Sequence, residues 1–326
     1  MSLENFSIIV PVFNGADTLG TCLEALVGQT YPREQFEVIV VNDGSTDATP
    51  RIAASYPVRL INLESNEGRI VARNTGARAA RFETLIFNDA RVIPELDLLA
   101  KVHSRNYEPL LPAVDAYDGS PWGFARFFHL LRCRLYSKYY HTMNKTEEYF
   151  ITPDNFDSVP KGTTNFICDR TLWLKSQLPE IDRYTNDDTR ILRQIVGERP
   201  ILKTHAACVT YRPRTDFRDV MIHTYERGPR FADYYLRPGG KYFFLYLLIW
   251  FLILLSLAAV IFSPVLKGPV LTGLALGFLC LVVYLSRTWR DLLVVGFCLP
   301  AVVLSFGLGI LKWQVTGWVR GTGSNS

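Results

Sequence analysis

The chain has 326 residues, of which 48% are hydrophobic, 13% aromatic and 20% charged, and 35 Lys and Arg against 31 Asp and Glu leave a net charge of +4. The apolar share excludes a disordered chain, and the charged share excludes one embedded wholly in lipid. So mild a positive balance gives no footing for a nucleic-acid binder.

In chain order, Phe6 to Val12 (FSIIVPV) is a continuous apolar run, as a strand buried on both faces would be. Asp17 to Leu26 has helical spacing, with Asp17 and Thr18 available as caps. Phe36 to Val41 predicts a second strand, stopped by Asn42-Asp43-Gly44, after which Ser45, Thr46 and Asp47 open a helix that tolerates Pro50 in its first turn. A third strand is expected at Val58 to Leu63, a helix at Arg69 to Ala80 and a fourth strand at Thr84 to Phe87. This βαβα repeat predicts a mostly parallel, Rossmann-like α/β sheet with helices on both faces. In such sheets ligands bind beyond the carboxyl ends of the strands. Those ends carry Phe13-Asn14, Asn42-Asp43, Asn66 and Asn88-Asp89.

Phe124 to Tyr140 (FARFFHLLRCRLYSKYY) interleaves apolar and aromatic residues with Arg126, Arg132, Arg134 and Lys138. That composition suits a helix lying in a membrane interface, or one covering a groove of a soluble domain. Further on, gaps of 25, 19 and 20 residues without Asp, Glu, Lys or Arg follow Lys241, Lys267 and Asp291. They predict three transmembrane helices, at about 242–262, 269–286 and 292–311, to cross about 30 Å of hydrocarbon; the second is barely long enough and, weakened by Gly268, Pro269, Gly273 and Gly277, also fits a buried or re-entrant helix. A cytoplasmic domain over 1–230 and a membrane domain over 231–326 are expected. Arg230, Arg237 and Lys241 precede the first run, and Arg287 and Arg290 separate the last two, so both basic groups favour the cytoplasm; Lys267, Lys312 and Arg320 would then lie outside.

Glu4 and Pro11 spoil any signal-peptide pattern, so a multi-pass protein of the cell membrane with its first domain in the cytoplasm is expected. The six cysteines are scattered without a CxxC pair, and the five histidines form no HExxH or HxH, so neither a disulfide framework nor a zinc site is implied. Asn144-Lys145-Thr146 is a formal sequon that a cytoplasmic domain would not use. There is no GxGxxG after a strand and no GxxxxGK[ST], so any phosphate must be held by a metal, by Arg or Lys, or by helix N-termini.

The blocks VPVFNGADTLGTCLEAL, FEVIVVNDGSTDATPRIA and NEGRIVARNTGARAA, in that order and followed by a carboxylate at the end of the fourth strand, closely resemble family 2 glycosyltransferases with the GT-A fold. The likeness covers residues 6 to 230. It implies that Pro11, Val12 and Asn14 line the base and ribose of a nucleotide-sugar and that Asp43 accepts a hydrogen bond from the base; turn chemistry before Gly44 also explains Asp43. Arg73, in the ARN of the third block, would face the nucleotide, while Arg69, Arg78 and Arg81 read as solvated helix residues.

The family's fourth strand ends in Asp-x-Asp, a pair that binds a divalent metal on the diphosphate. Here the segment is Asp89-Ala90-Arg91, so Mg²⁺ or Mn²⁺ would have Asp89 alone, or Arg91 would supply the positive charge instead. In an extended segment Arg91 would share a face with Asp89.

Lys161-Gly162-Thr163-Thr164-Asn165 resembles the loop before the acceptor region, and Thr163 is a candidate for acceptor or phosphate contact. Asn186-Asp187-Asp188-Thr189 stands where the family carries its general base, which makes Asp188 the base and Asp187 its neighbour; capping of a helix N-terminus fits the same residues. Arg212, Arg214 and Arg227 lie in the basic stretch before the membrane, where they would bind an acceptor phosphate or anionic headgroups. No Gln-x-x-Arg-Trp occurs, so one sugar per acceptor is expected in place of a polymer.

The expectation is an inverting glycosyltransferase that moves one sugar to a lipid-linked saccharide, a glycolipid or a polyprenyl phosphate. The rivals are a catalytically impaired nucleotide-sugar-binding membrane protein, with Arg91 as the lesion, and a sugar nucleotidyltransferase.

Overall fold

The structure is a computed structural model and describes residues 4–115, 119–140, 148–178 and 186–322. The Asn144 sequon lies outside these residues. The chain divides into two compact units: Met1–Asp118 with Lys138–Arg183 and Asp187–Pro213, and Gly119–Ser137 with Tyr184–Asn186 and Arg214–Ser326.

In the first unit, β1 (Phe6–Val12), α1 (Ala16–Val27), β2 (Phe36–Asn42), α2 (Thr49–Ala54), β3 (Arg59–Asn62), α3 (Arg69–Ala79) and β4 (Thr84–Asn88) follow the expected alternation. The helix α2 starts at Thr49, later than expected, because the Asp47 carboxylate accepts from the Thr49 amide at 2.9 Å and ends the turn there. Next come β5 (Val92–Pro94), α4 (Leu98–Arg105) and β6 (Leu110–Asp115). After α5 (Gly123–Leu135), which belongs to the second unit, and the single turn α6 (Ser137–Tyr140), the first unit continues with β7 (Tyr149–Ile151), β8 (Asn165–Asp169), α7 (Arg170–Lys175), α8 (Asp187–Glu198) and β9 (Ile201–Tyr211).

The strands form one sheet of order β3-β2-β1-β4-β8-β6-β9-β5, with β7 also on β9. From β3 to β4 all pairings are parallel, in register from Phe6↔Phe36 to Val12↔Asn42 and from Phe6↔Thr84 to Ile9↔Phe87. Beyond β4 the sheet turns mixed: β8 runs antiparallel to both β4 and β6. Further along, β6 and β9 pair parallel, while β5 and β7 run antiparallel to β9.

Side chains alternate across β1. Ile8, Val10 and Val12 join Leu19, Leu23 and Leu26 of α1 in a fully buried cluster, each such side chain contributing about 1.5–3 kcal/mol by leaving water. On the opposite face α3 comes so close that a Cβ at Gly76 would lie 2.4 Å from Ile9 Cγ2. That close packing sets the height of α3 above the strand ends.

The second unit consists of α5, α9 (Phe217–Tyr235), α10 (Phe243–Phe262), α11 (Pro264–Leu285) and α12 (Trp289–Thr322). Three stretches, Phe243–Phe262, Val265–Leu285 and Trp289–Thr316, are long and apolar enough to cross a membrane. The continuous helix expected over 124–140 is broken at Tyr136 between α5 and α6. The apolar face of α5 (Phe124, Phe127, Leu130) is buried against Val220 of α9, Val282 and Leu285 of α11, and Val294, Val295 and Cys298 of α12. Protein, not lipid, therefore covers that face.

Candidate active site

The carboxyl ends of β1 and β2 are laced together by short polar contacts. Asn14, with a left-handed φ of 48°, donates its backbone N–H to Ser45 Oγ at 2.9 Å, and its side-chain oxygen accepts from the Thr46 amide at 2.8 Å. Pro11 and Val12 pair with Val41 and Asn42 in the sheet, and the Val12 carbonyl accepts from the Asp43 amide at 2.8 Å. Four of the residues expected at a nucleoside, Pro11, Val12, Asn14 and Asp43, are thus consecutive parts of one edge.

Asp43 is 3% exposed, and both of its oxygens are engaged. They accept from the backbone N–H of Glu67 (2.8 Å) and of Gly68 (3.0 Å), the residue that opens α3. Burial raises its carboxyl above the ordinary value, and these amide hydrogen bonds only partly oppose the rise. In this structure Asp43 anchors the helix that carries Arg69 and Arg73.

Those two arginines stand one turn apart and so share a face of α3. Arg73 is 1% exposed and reaches three partners: Nη2 to Asp89 Oδ1 (2.9 Å), Nη1 to Asp188 Oδ1 (2.7 Å) and Nη1 to Thr163 Oγ1 (2.8 Å). Its Nε, also buried, has no hydrogen-bond partner among the described residues. Arg69 donates from Nε to Asp187 Oδ2 (2.9 Å), pairs with Asp187 Oδ1 through Nη2, and lies 3.0 Å from Asp188 Oδ2. Thr163 Oγ1 donates to Asp188 Oδ1 at 2.6 Å, and the Asp188 amide donates to Asp187 Oδ1 at 2.8 Å.

Arg73, Asp89, Thr163, Asp187 and Asp188, singled out far apart in the chain, therefore form one hydrogen-bonded cluster. Arg69 is a correction: read as a solvated residue, it grips both acidic residues at the start of α8. The signal was its spacing of four from Arg73.

Arg91 does not follow the extended geometry assumed for it. Asp89 to Val92 is a turn closed by Val92 N–H to Asp89 O at 2.8 Å, because β5 must leave β4 there to pair with β9. Arg73, from the neighbouring helix, pairs with Asp89. The Asp89 amide donates to Thr164 O at 3.0 Å, and buried Asn165 donates its side-chain amide to Asn88 Oδ1 at 2.7 Å, so the ends of β4 and β8 hold Asp89 and Thr163 in fixed relation.

Arg212 is tied to the same turn through its backbone N–H, which donates to Arg91 O at 2.9 Å. Arg214 spends its guanidinium on Asp219 (2.8 and 2.9 Å), and Arg227 is an exposed residue of α9; both belong to the second unit.

Electrostatics separate the carboxylates. Burial would raise Asp188, but the charges of Arg69 and Arg73 and the hydrogen bonds from Thr163 and Arg73 outweigh it and hold the group well below the usual carboxylate range. Burial raises Asp89 against the charge of Arg73, with the Asp188 charge adding to the rise. Three carboxylates against two guanidiniums leave the cluster one charge negative when all are ionised. For a divalent cation this donor set offers one carboxylate, Asp89, whose side chain is 38% exposed with one oxygen committed to Arg73. No group of three or more His, Cys, Asp or Glu suited to a metal ion occurs among the described residues. Asp89 is the residue that could hold a Mg²⁺-type ion, since such ions commonly take only one or two protein carboxylates beside substrate phosphates.

Residues 7–159 match the family model described as Glycosyl transferase family 2. Glycosyltransferase AglE of Haloferax volcanii is 37% identical over 105 residues, 31% of this chain and 34% of that protein. The putative glycosyltransferase EpsH of Bacillus subtilis is 42% identical over 95 residues, 28% of this chain and 27% of that protein. The chain thus spans about a third or less of the length of these curated relatives. Among solved structures, a mannosyltransferase from Pyrobaculum calidifontis in complex with GDP-Man and Mn²⁺ superposes with a TM-score of 0.58 at 21% identity, covering 94% of this chain and 87% of that one. That likeness shows the GT-A fold.

Proposed function

From the premise that the chain is a family 2 glycosyltransferase by its domain at residues 7–159, we propose that it transfers one sugar, with inversion, from a nucleoside-diphosphate sugar to a hydroxyl of a lipid-linked acceptor. The observation that carries this reading is the convergence of Asp89, Asp187 and Asp188 on Arg69 and Arg73 beyond the strand ends.

The nucleoside lies along Pro11, Val12, Asn14 and Asp43. For Asp43 to accept a hydrogen bond from the base, it has to share or release the amides of Glu67 and Gly68. The diphosphate faces Arg73 and Arg69, whose guanidiniums suit phosphate oxygens. A cluster already one charge negative repels a diphosphate, which is the physical reason for an added cation. Asp89 is the residue that would hold Mg²⁺ or Mn²⁺, and the ion would neutralise the departing diphosphate. Arg91 stands where a second carboxylate would, and the donor set is thinner for it.

Asp188 accepts the acceptor proton as its oxygen attacks the anomeric carbon and the diphosphate leaves from the opposite side. While Arg69 and Arg73 hold it, the carboxylate is a poor base. Phosphate oxygens competing for those guanidiniums relieve that hold, so binding of the donor readies the base. Asp187 keeps Arg69 aligned, and Thr163 fixes one Asp188 oxygen.

The lipid nature of the acceptor rests on the three apolar helices, which also support a multi-pass protein; the basic residues Arg230, Arg237, Lys241, Arg287 and Arg290 favour the cytoplasmic side for its first domain. Arg212, Arg214 and Arg227 are proposed to meet its phosphates or the headgroups around it. The test is transfer from a panel of nucleotide sugars to lipid extracts, beside nucleotide binding by calorimetry. Binding with no transfer to any acceptor would instead identify a nucleotide-sugar-binding protein.

A further inference from the structure

We infer that α12, although long and apolar enough to span a bilayer, lies along the membrane face, so that the chain crosses twice, through α10 and α11 only. This concerns the second unit alone and is independent of the catalytic reading.

The first observation is where α12 begins and ends. Helices α10 and α11 are joined through Ser263 alone, so if both cross, the first turn of α10 and the last turn of α11 emerge on the same side. Three residues, Ser286 to Thr288, lead from α11 into α12, whose start is therefore on that side. The far part of α12 returns to the start of α10: Gln314 donates a side-chain hydrogen bond to the hydroxyl of Tyr246. Phe231 of α9 bridges the same two places, with its ring 5.4 Å from Phe306 of α12 and 6.1 Å from Tyr242 just before α10. A helix with both ends at one surface does not cross to the other.

The second observation is what covers it. Val294, Val295, Cys298, Leu299, Ser305 and Gly309 form a buried stripe at helical spacing. From Val294 to Gly309 that stripe is about 22 Å long at 1.5 Å per residue. It is packed on α5 and α9. Arg126 grips Asp291 through two hydrogen bonds (2.7 and 3.0 Å), Ser305 Oγ donates to Met221 O (2.7 Å), and a Cβ at Gly309 would lie 2.1 Å from Tyr225 O. These partners are amphipathic: α9 exposes Arg218, Glu226 and Arg227. A spanning α12 would carry those charges to bilayer depth beside it, where charged side chains are strongly disfavoured.

The other side of α12 says what it faces. Leu293, Phe297, Leu304, Leu308 and Val315, between 49% and 68% exposed, form an apolar stripe opposite the buried one. A helix apolar on both sides, with protein on one, needs hydrocarbon on the other, as a helix lying in the interface has it. The basic residues agree. With α12 in the membrane plane, Lys312 joins Arg287 and Arg290 on one side and leaves Lys267 across the bilayer, a cleaner asymmetry than three crossings give.

The test compares Lys267 with Lys312. Three crossings put both on the same side; the in-plane helix puts them on opposite sides. Lys267→Cys, Arg287→Cys and Lys312→Cys are labelled in sealed vesicles of known orientation with a membrane-impermeant maleimide, above the background of the parent chain. The expected result is that positions 287 and 312 react from one side and 267 from the other. Labelling of 312 together with 267 would overturn the inference. Trypsin applied to the unaltered chain in the same vesicles gives the answer without substitutions: cleavage at Lys312 accompanies cleavage at Arg218 and not at Lys267, and the reverse pairing refutes the in-plane helix.

Discussion

Arg73 holds Asp188 at 2.7 Å from inside the protein, and with 1% of Arg73 exposed this is a built contact, not a surface encounter. The group proposed to take up a proton is neutralised before a substrate arrives. Under the proposed roles, donor binding and base strength are linked through the guanidiniums of Arg69 and Arg73.

Asp188→Asn keeps the shape and the Thr163 contact but removes the proton acceptor. The turnover number is expected to fall roughly 10²- to 10⁴-fold. Affinity for the nucleoside diphosphate should stay the same or tighten, because Arg73 and Arg69 lose a competing anion. Calorimetry beside single-turnover transfer checks both, and retained turnover would remove Asp188 from the role.

Arg69→Ala leaves Asp187, which is 6% exposed, without its side-on partner. Breaking a buried pair from one end is costly, but Arg69 is itself 39% exposed, so about 1–2 kcal/mol of stability is expected to go. Arg78→Ala, at an exposed position on the same helix, should change stability by no more than about 0.5 kcal/mol. Thermal melts of the pair decide whether Arg69 belongs to the cluster.

Removal of divalent ions should abolish transfer, and Mg²⁺ or Mn²⁺ should restore it, with Asp89→Asn insensitive to the addition. Full activity after exhaustive chelation would assign the neutralising charge to the arginines. Metal-dependent turnover in Arg91→Ala would show that Arg91 does not replace the ion.

Glu108 sits away from this cluster with Oε2 buried and unpartnered among the described residues. Burial, reinforced by the Asp169 charge, pushes its carboxyl up from 4.5 to about 7. A raised carboxyl favours the folded state only while protonated, so its contribution is present below pH 4.5 and is lost as pH rises to about 7. Discounted for partial exposure, Glu108→Gln should stabilise the protein by about 1–2 kcal/mol at pH 8 and by nothing near pH 4. Melting temperatures of both proteins across that range give the comparison.

Gly76→Ala forces a methyl to within 2.4 Å of Ile9 in the core, so a loss of about 1–3 kcal/mol is expected. If α3 lifts to relieve the clash, Arg73 moves with it, and nucleotide affinity should fall together with stability.

The sequence by itself determined the first half of the fold and singled out most of the residues that gather in the hydrogen-bonded cluster. The continuous apolar runs at Phe6 and Phe36, short, β-branched and closed by turn residues, read as buried strands, and the polar residues that end them mark one edge. It also determined that the C-terminal third is apolar enough for a membrane. What it left open are distances between segments far apart in the chain. That Arg73 sits on Asp188, 115 positions away, that Arg69 works beside it, and that a turn re-aims Arg91 follow from the way α3 packs through Gly76 and β8 enters antiparallel. The path of α12 is of the same kind. Hydropathy reports what a helix avoids, and only the helices packed against it decide which way it runs.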